Sequence, residues 1–155
     1  MSLVGSYDPA NIFGKIIRGE APAAKIFEDD ETLAFMDAFP QARGHCLVVH
    51  KSARARNLLD VETAALCAVM RTVQRVTRAV GEALSPDGIL VTQFNGAAAG
   101  QSVYHLHVHV IPRWEGVALA RHGGGMAEPT ELAALATQIA GHMETIPGPA
   151  RDAPA

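Results

Sequence analysis

The spacing of apolar positions changes along the chain, and the changes mark out its elements. Lys25 to Asp29 and Thr32 to Asp37 flank an Asp29-Asp30-Glu31 turn, which predicts a hairpin. His45 to His50 reads as a third strand, Ile89 to Asn95 as a fourth and Val103 to Ile111 as a fifth. Between the third and fourth, Leu66, Val69, Val73, Val76, Val80 and Leu84 recur with helical period while Arg71, Arg75, Arg78 and Glu82 form a wet face. That spacing predicts a long helix over 61–84, with Asp60 as N-cap and Ser85-Pro86-Asp87-Gly88 as its stop. Ala10 to Arg18 reads as a short helix. Past a flexible Gly123-Gly124-Gly125 stretch, Leu132, Leu135, Ala136, Ile139 and Met143 mark a second amphipathic helix with Pro129 in its first turn.

Within the fifth strand one apolar-polar pattern has an unusual polar member. His105, His107 and His109 alternate with Leu106, Val108 and Val110, so on an extended strand the three rings share one face about 7 Å apart while the aliphatic residues face a core. Three neighbouring imidazoles that titrate near neutrality form a proton-handling and nucleophilic surface, or a metal site. The spacing leaves both open.

Composition narrows the class. A chain of 155 residues, 48% hydrophobic and 19% charged, fits one domain with a sizeable core. A net charge of −3 gives no general attraction to nucleic acid, and the one basic cluster, Lys51, Arg54 and Arg56, reads as a solvated turn. No apolar run approaches the roughly 20 residues of a membrane span, and Met1 to Pro9 lacks the profile of a secretion signal, so a cytoplasmic location is expected. Cys46 and Cys67 match no metal spacing and read as buried free thiols. His122 and His142 lie outside the motif and read as surface residues.

Candidate partners of the histidines flank them in sequence. The small-residue loop Gly96 to Ser102 offers Ser102 and glycines, Gly100 among them, whose backbone N–H groups can approach an anion closely, while Asn95 at the preceding strand end offers an amide. Upstream, Leu33, Phe35 and Asp37 alternate onto one face, an apolar wall beside a carboxylate that can accept from both hydroxyls of a ribose. Asp37 equally suits a turn before Pro40.

These residues together resemble the histidine triad nucleotide-binding family, in its nucleoside phosphoramidase-like branch. The resemblance rests on His105-Leu106-His107-Val108-His109-Val110-Ile111, on Gly100-Gln101-Ser102 before it, on Asn11-Ile12-Phe13-Gly14-Lys15-Ile16-Ile17, and on Asp37-Ala38-Phe39-Pro40-Gln41-Ala42-Arg43-Gly44-His45. It implies an α+β fold with a five-stranded antiparallel sheet, one long helix and a C-terminal helix, the sheet running on to ten strands across a homodimer. A flexible leader 1–9, the nucleotide-binding domain 10–116, a helical extension 117–146 of bacterial type and a disordered tail 147–155 are the expected divisions.

What the resemblance implies for the site is specific. His107 corresponds to the nucleophile at the α-phosphorus, His109 to the ring contacting phosphate or leaving group, His105 to the supporting first histidine and His45 to a fourth histidine nearby. Asn95, Gly100, Gln101 and Ser102 would contact phosphate or leaving group, Asp37 the ribose, and Phe13, Ile16 and Phe35 the base. Some relatives hold structural zinc through two cysteines at the positions of Asn11 and Gly14. With only His50 and His105 left here, no structural zinc and no required cofactor are expected. The implied partner is a purine nucleotide or nucleotide conjugate, without nucleic acid polymer or membrane. The implied reaction is double displacement through a nucleotidyl-histidine on phosphoramidates or acyl-adenylates. A dinucleoside polyphosphate hydrolase, a metal-dependent hydrolase and a non-catalytic nucleotide-binding regulator remain as alternatives.

Overall fold

The computed structural model describes residues 3–143. Helix α1 (Ile12–Ile17) precedes strands β1 (Lys25–Glu28), β2 (Thr32–Met36) and β3 (Cys46–His50), the long helix α2 (Thr63–Leu84), strands β4 (Gly88–Thr92) and β5 (His107–Arg113), and helix α3 (Pro129–Met143). The strands form one antiparallel α+β sheet in the order β1-β2-β3-β5-β4. Asp29 closes the β1–β2 hairpin, its Oδ1 accepting from the N–H groups of Glu31 at 2.9 Å and Thr32 at 2.7 Å.

Each inner strand is buried on both sides, so its alternation sorts residues between two different environments. Ala34, Met36, Cys46, Val48, Val108 and Val110 pack against Val69, Val73, Val76 and Val80 of α2 and Leu132, Leu135 and Ile139 of α3. Burying each of these aliphatic side chains is worth about 1.5–3 kcal/mol. The C-terminal helix therefore belongs to the same core as the sheet. On the opposite face Leu33, Phe35, Leu47 and Val49 pack under Phe13 and Ile16 of α1. Gly44, at φ +85°, brings β3 against the Leu84 and Pro112 side chains, where a Cβ would collide.

Several expectations are corrected. Strand β5 starts at His107, so His105 lies in the bend before it, where the Leu106 N–H turns aside to donate to the Ala55 carbonyl at 2.8 Å. Asp60 is not the N-cap of α2. Its carboxylate accepts from the Arg56 N–H at 2.9 Å and the Asn57 N–H at 3.1 Å, which closes the preceding loop, and Glu62 takes the cap position. Arg56 is buried rather than solvated, donating to the Ser6 carbonyl at 3.0 Å and lying 4.4 Å over the Tyr104 ring. Within the first segment, the Leu3 carbonyl also accepts from Asn57 Nδ2 at 3.0 Å. Cys46 is buried, but Cys67 is exposed on α2. The tail 147–155 lies outside the described residues. Among those residues no helix is long and apolar enough to cross a membrane.

Candidate active site

The β3–β5 register sets Val49 opposite His107 and Leu47 opposite His109, on the face turned away from α2. The two rings stand 4.9 Å apart, and Phe13 meets His107 edge-on at 4.8 Å. They line a cavity of about 580 Å³ together with apolar Phe13, Ile16 and Phe35 and polar Asp37, Ser102 and His122. A largely apolar cleft with a few polar groups suits a base attached to a charged group.

Hydrogen bonds fix which nitrogen of each ring carries the proton. A carbonyl can only accept, so His105 Nε2, 3.1 Å from the His50 carbonyl, is the protonated atom, and Nδ1 accepts from the Tyr7 hydroxyl at 2.7 Å. His107 Nδ1 donates to the His105 carbonyl at 2.6 Å. A neutral His107 therefore presents an unprotonated Nε2. A second chain starts at the Gln41 N–H, which donates to His45 Nδ1 at 3.0 Å and leaves the His45 proton on Nε2. His45 Nε2 donates to His109 Nδ1 at 2.8 Å, with Asp37 Oδ2 3.4 Å away. The His109 proton is thereby placed on Nε2, a buried atom with no partner among the described residues.

Burial also sets the charge state of these rings. Desolvation lowers His105 to about 4 and His45 to about 4, against the opposing pull of Asp37 on His45. His107 and His109 are lowered too, by desolvation first, with neighbouring histidines adding to the effect on both. At neutral pH all four are uncharged.

The remaining sequence candidates divide. Ser102 is exposed on the cavity. Gln101 is buried and has other partners: its Nε2 donates to the Arg56 carbonyl at 2.7 Å and the Val103 carbonyl at 3.1 Å, and its Oε1 accepts from the Gly96 N–H at 2.8 Å. Gly100 donates its N–H to the Ala97 carbonyl at 3.0 Å, and the Ala99 and Gln101 N–H groups both reach the Gly96 carbonyl. These three N–H groups close the loop on itself. Asn95 Oδ1 accepts from the Leu58 N–H and from Gln93 Nε2, both at 3.0 Å, which ties the loop to the segment before α2. Asp37 does two things at once, with Oδ1 taking the Phe39 N–H at 2.8 Å in a turn and Oδ2 facing His45.

Three residues of the site escaped the sequence reading: Tyr7, Gln41 and His122. Tyr7 sits in the leader, Gln41 stands out only as part of a family landmark, and His122 lies in a glycine-rich connector without periodicity. Its ring is exposed, yet stands 5.7 Å from that of His109. His142 is at the surface, 3.3 Å from Glu82.

Asp37, His45 and His109 bring possible ligand atoms within 4.8 Å of one another. Their donor chemistry does not suit a metal ion. His45 Nδ1 is occupied by a backbone N–H and its Nε2 bears the proton, so the neutral ring has no lone pair to give.

The HIT domain matches residues 18–116 of the chain. The adenylylsulfatase HINT3 of Arabidopsis thaliana is 32% identical over 142 residues, 88% of this chain and 71% of that protein. The adenosine 5'-monophosphoramidase hnt1 of Schizosaccharomyces pombe is 36% identical over 102 residues, 66% of this chain and 73% of that one. Among solved structures, a Hit-like protein from Bartonella henselae superposes with a TM-score of 0.85 at 46% identity, over 89% of this chain and 99% of the other.

Proposed function

Because the chain belongs to the histidine triad (HIT) family of nucleotide-binding hydrolases, we propose that it cleaves the bond between a nucleoside α-phosphate and its leaving group through a nucleotidyl-His107 intermediate. The observation that carries this reading is the 2.6 Å bond from His107 Nδ1 to the His105 carbonyl, which leaves Nε2 as a neutral nucleophile on the cavity. In the first half-reaction Nε2 attacks phosphorus in line as the bond to the leaving group breaks. Water then attacks the adduct and releases the nucleoside monophosphate. The unpartnered His109 Nε2–H, steadied by His45, donates to a phosphoryl oxygen as charge builds there. No step runs through a metal ion.

The apolar wall of Phe13, Ile16 and Phe35 supports a purine, and Asp37 beyond it supports a ribose. The activities in the names of HINT3 and hnt1 support adenylate conjugates with small leaving groups, a sulfate or an amine. A homodimer through the β4 edge is part of the reading, supported by the exposure of Leu90 and Val91 on that strand and tested by sedimentation.

Rapid-quench mass spectrometry of the protein mixed with an adenosine phosphoramidate tests the chemistry. A nucleoside monophosphate adduct on His107 that forms and decays at the turnover rate is expected. Turnover without that adduct, or unimpaired turnover by His107→Ala, overturns the reading.

A further inference from the structure

The segment between β5 and α3 carries a histidine outside the triad motif, and specific contacts place it. Ala120 is bonded to Gln41 in both directions, its N–H donating to the Gln41 carbonyl at 2.8 Å and its carbonyl accepting from Gln41 Nε2 at 3.1 Å. The Ala127 N–H donates to the Ala38 carbonyl at 2.9 Å. Between these two attachments the Gly124 N–H closes a turn on the Arg121 carbonyl at 3.2 Å, and His122 lies at the rim of the cavity. Its ring meets those of His109 and Phe94 edge-on, each at 5.7 Å, and its Nε2 is 3.5 Å from the Ser102 hydroxyl.

The triad leaves one task unfilled. A basic leaving nitrogen departs only if it receives a proton as its bond to phosphorus breaks. His105 has both ring nitrogens bonded, His45 donates to His109, and the Nδ1–H of His107 is held by a carbonyl. His109 Nε2–H is open, but burial keeps that ring neutral, and a neutral imidazole donates a hydrogen bond without surrendering the proton. His122 is exposed to solvent and lines the same cavity.

Resting on the nucleotidyl-transfer reading above, we propose that His122 is the proton donor to the leaving group. As His107 Nε2 bonds to phosphorus, the electron pair of the breaking bond goes to the leaving atom, which takes the proton from an imidazolium His122. In the second half-reaction neutral His122 takes a proton from the attacking water. The water oxygen bonds to phosphorus, and the electron pair of the P–N bond returns to His107. His122 thereby sets leaving-group preference, favouring conjugates whose leaving group is basic.

The test compares wild type, His122→Ala and His122→Gln on two substrates with the same nucleoside: an alkylamine phosphoramidate and a p-nitrophenyl phosphodiester, whose leaving group needs no proton. Both variants are expected to lose about a hundredfold in kcat/KM on the amine and less than about threefold on the ester. Added imidazole should restore part of the amine activity to His122→Ala. Equal losses on both substrates, or no loss on the amine, overturn the role of His122. The His107 adduct in wild type separates this from the reading beneath it: with the adduct present and losses equal, only His122 is reassigned, and with no adduct both fall.

Discussion

On β5, Val108 and Val110 turn towards α2 while His107 and His109 turn to the cavity, and all four are buried, at 3%, 0%, 6% and 1% exposure. Depth is the same, but what holds the residues differs. The valines are held by shape alone, and any side chain of similar volume and polarity would satisfy α2 and α3. The histidines are held by directional bonds that fix the proton on each ring: Tyr7 donates to His105, the His105 carbonyl accepts from His107, the Gln41 N–H donates to His45, and His45 donates to His109. A change on the first face is therefore read out as stability, and one on the second as chemistry.

The largest contrast should come from His107→Ala. It removes the attacking atom, so steady-state turnover should fall by about 10⁴-fold or more while calorimetry still detects nucleotide binding, since Asp37 and the apolar wall remain. Acid is the next strongest perturbation, and it acts on one face only. His45 and His105 titrate at about 4 when folded and from 6.5 in their ordinary state, so between those values the unfolded chain binds more protons. Stability contributed by these neutral rings is fully present above pH 6.5, falls as the pH drops towards 4, and levels off below. Urea midpoints from pH 4 to 7 check this, and Val108→Ala should show the same slope as wild type.

Val108→Ala itself should lower stability by about 2 kcal/mol through the lost burial and the residual cavity, with kcat little changed. Tyr7→Phe sharpens the comparison from the other side. Losing the hydroxyl leaves His105 Nδ1 buried without its donor, a loss of about 1 kcal/mol in chemical denaturation. The accompanying drop in kcat should be larger than that of Val108→Ala, because the His105 carbonyl aims His107.

Much of the fold was legible because period and burial coincide. The helical repeat of α2, the hairpin at Asp29 and the alternation through His107 and His109 each follow from which side of an element meets apolar neighbours. Local patterns failed where long-range bonds decide. Alternation runs unbroken through Tyr104-His105-Leu106, yet the backbone leaves the strand there to reach Ala55, and nothing nearby in sequence signals it. Gln101 is a phosphate contact only as the family resemblance implies it, and the fold alone reveals that its amide bonds Arg56, Val103 and Gly96. His122 is placed by a bond between Gln41 and Ala120, across a separation that no window of sequence spans.

The central claim is a proton position: His107 carries its proton on Nδ1 and offers Nε2 to phosphorus. Nitrogen-15 NMR of the histidine side chains at neutral pH reads this directly, with His107→Gln supplying the assignment. A pyrrole-type Nδ1 and a pyridine-type Nε2 are predicted for His107, whereas the reverse tautomer or an imidazolium at that position would contradict the account.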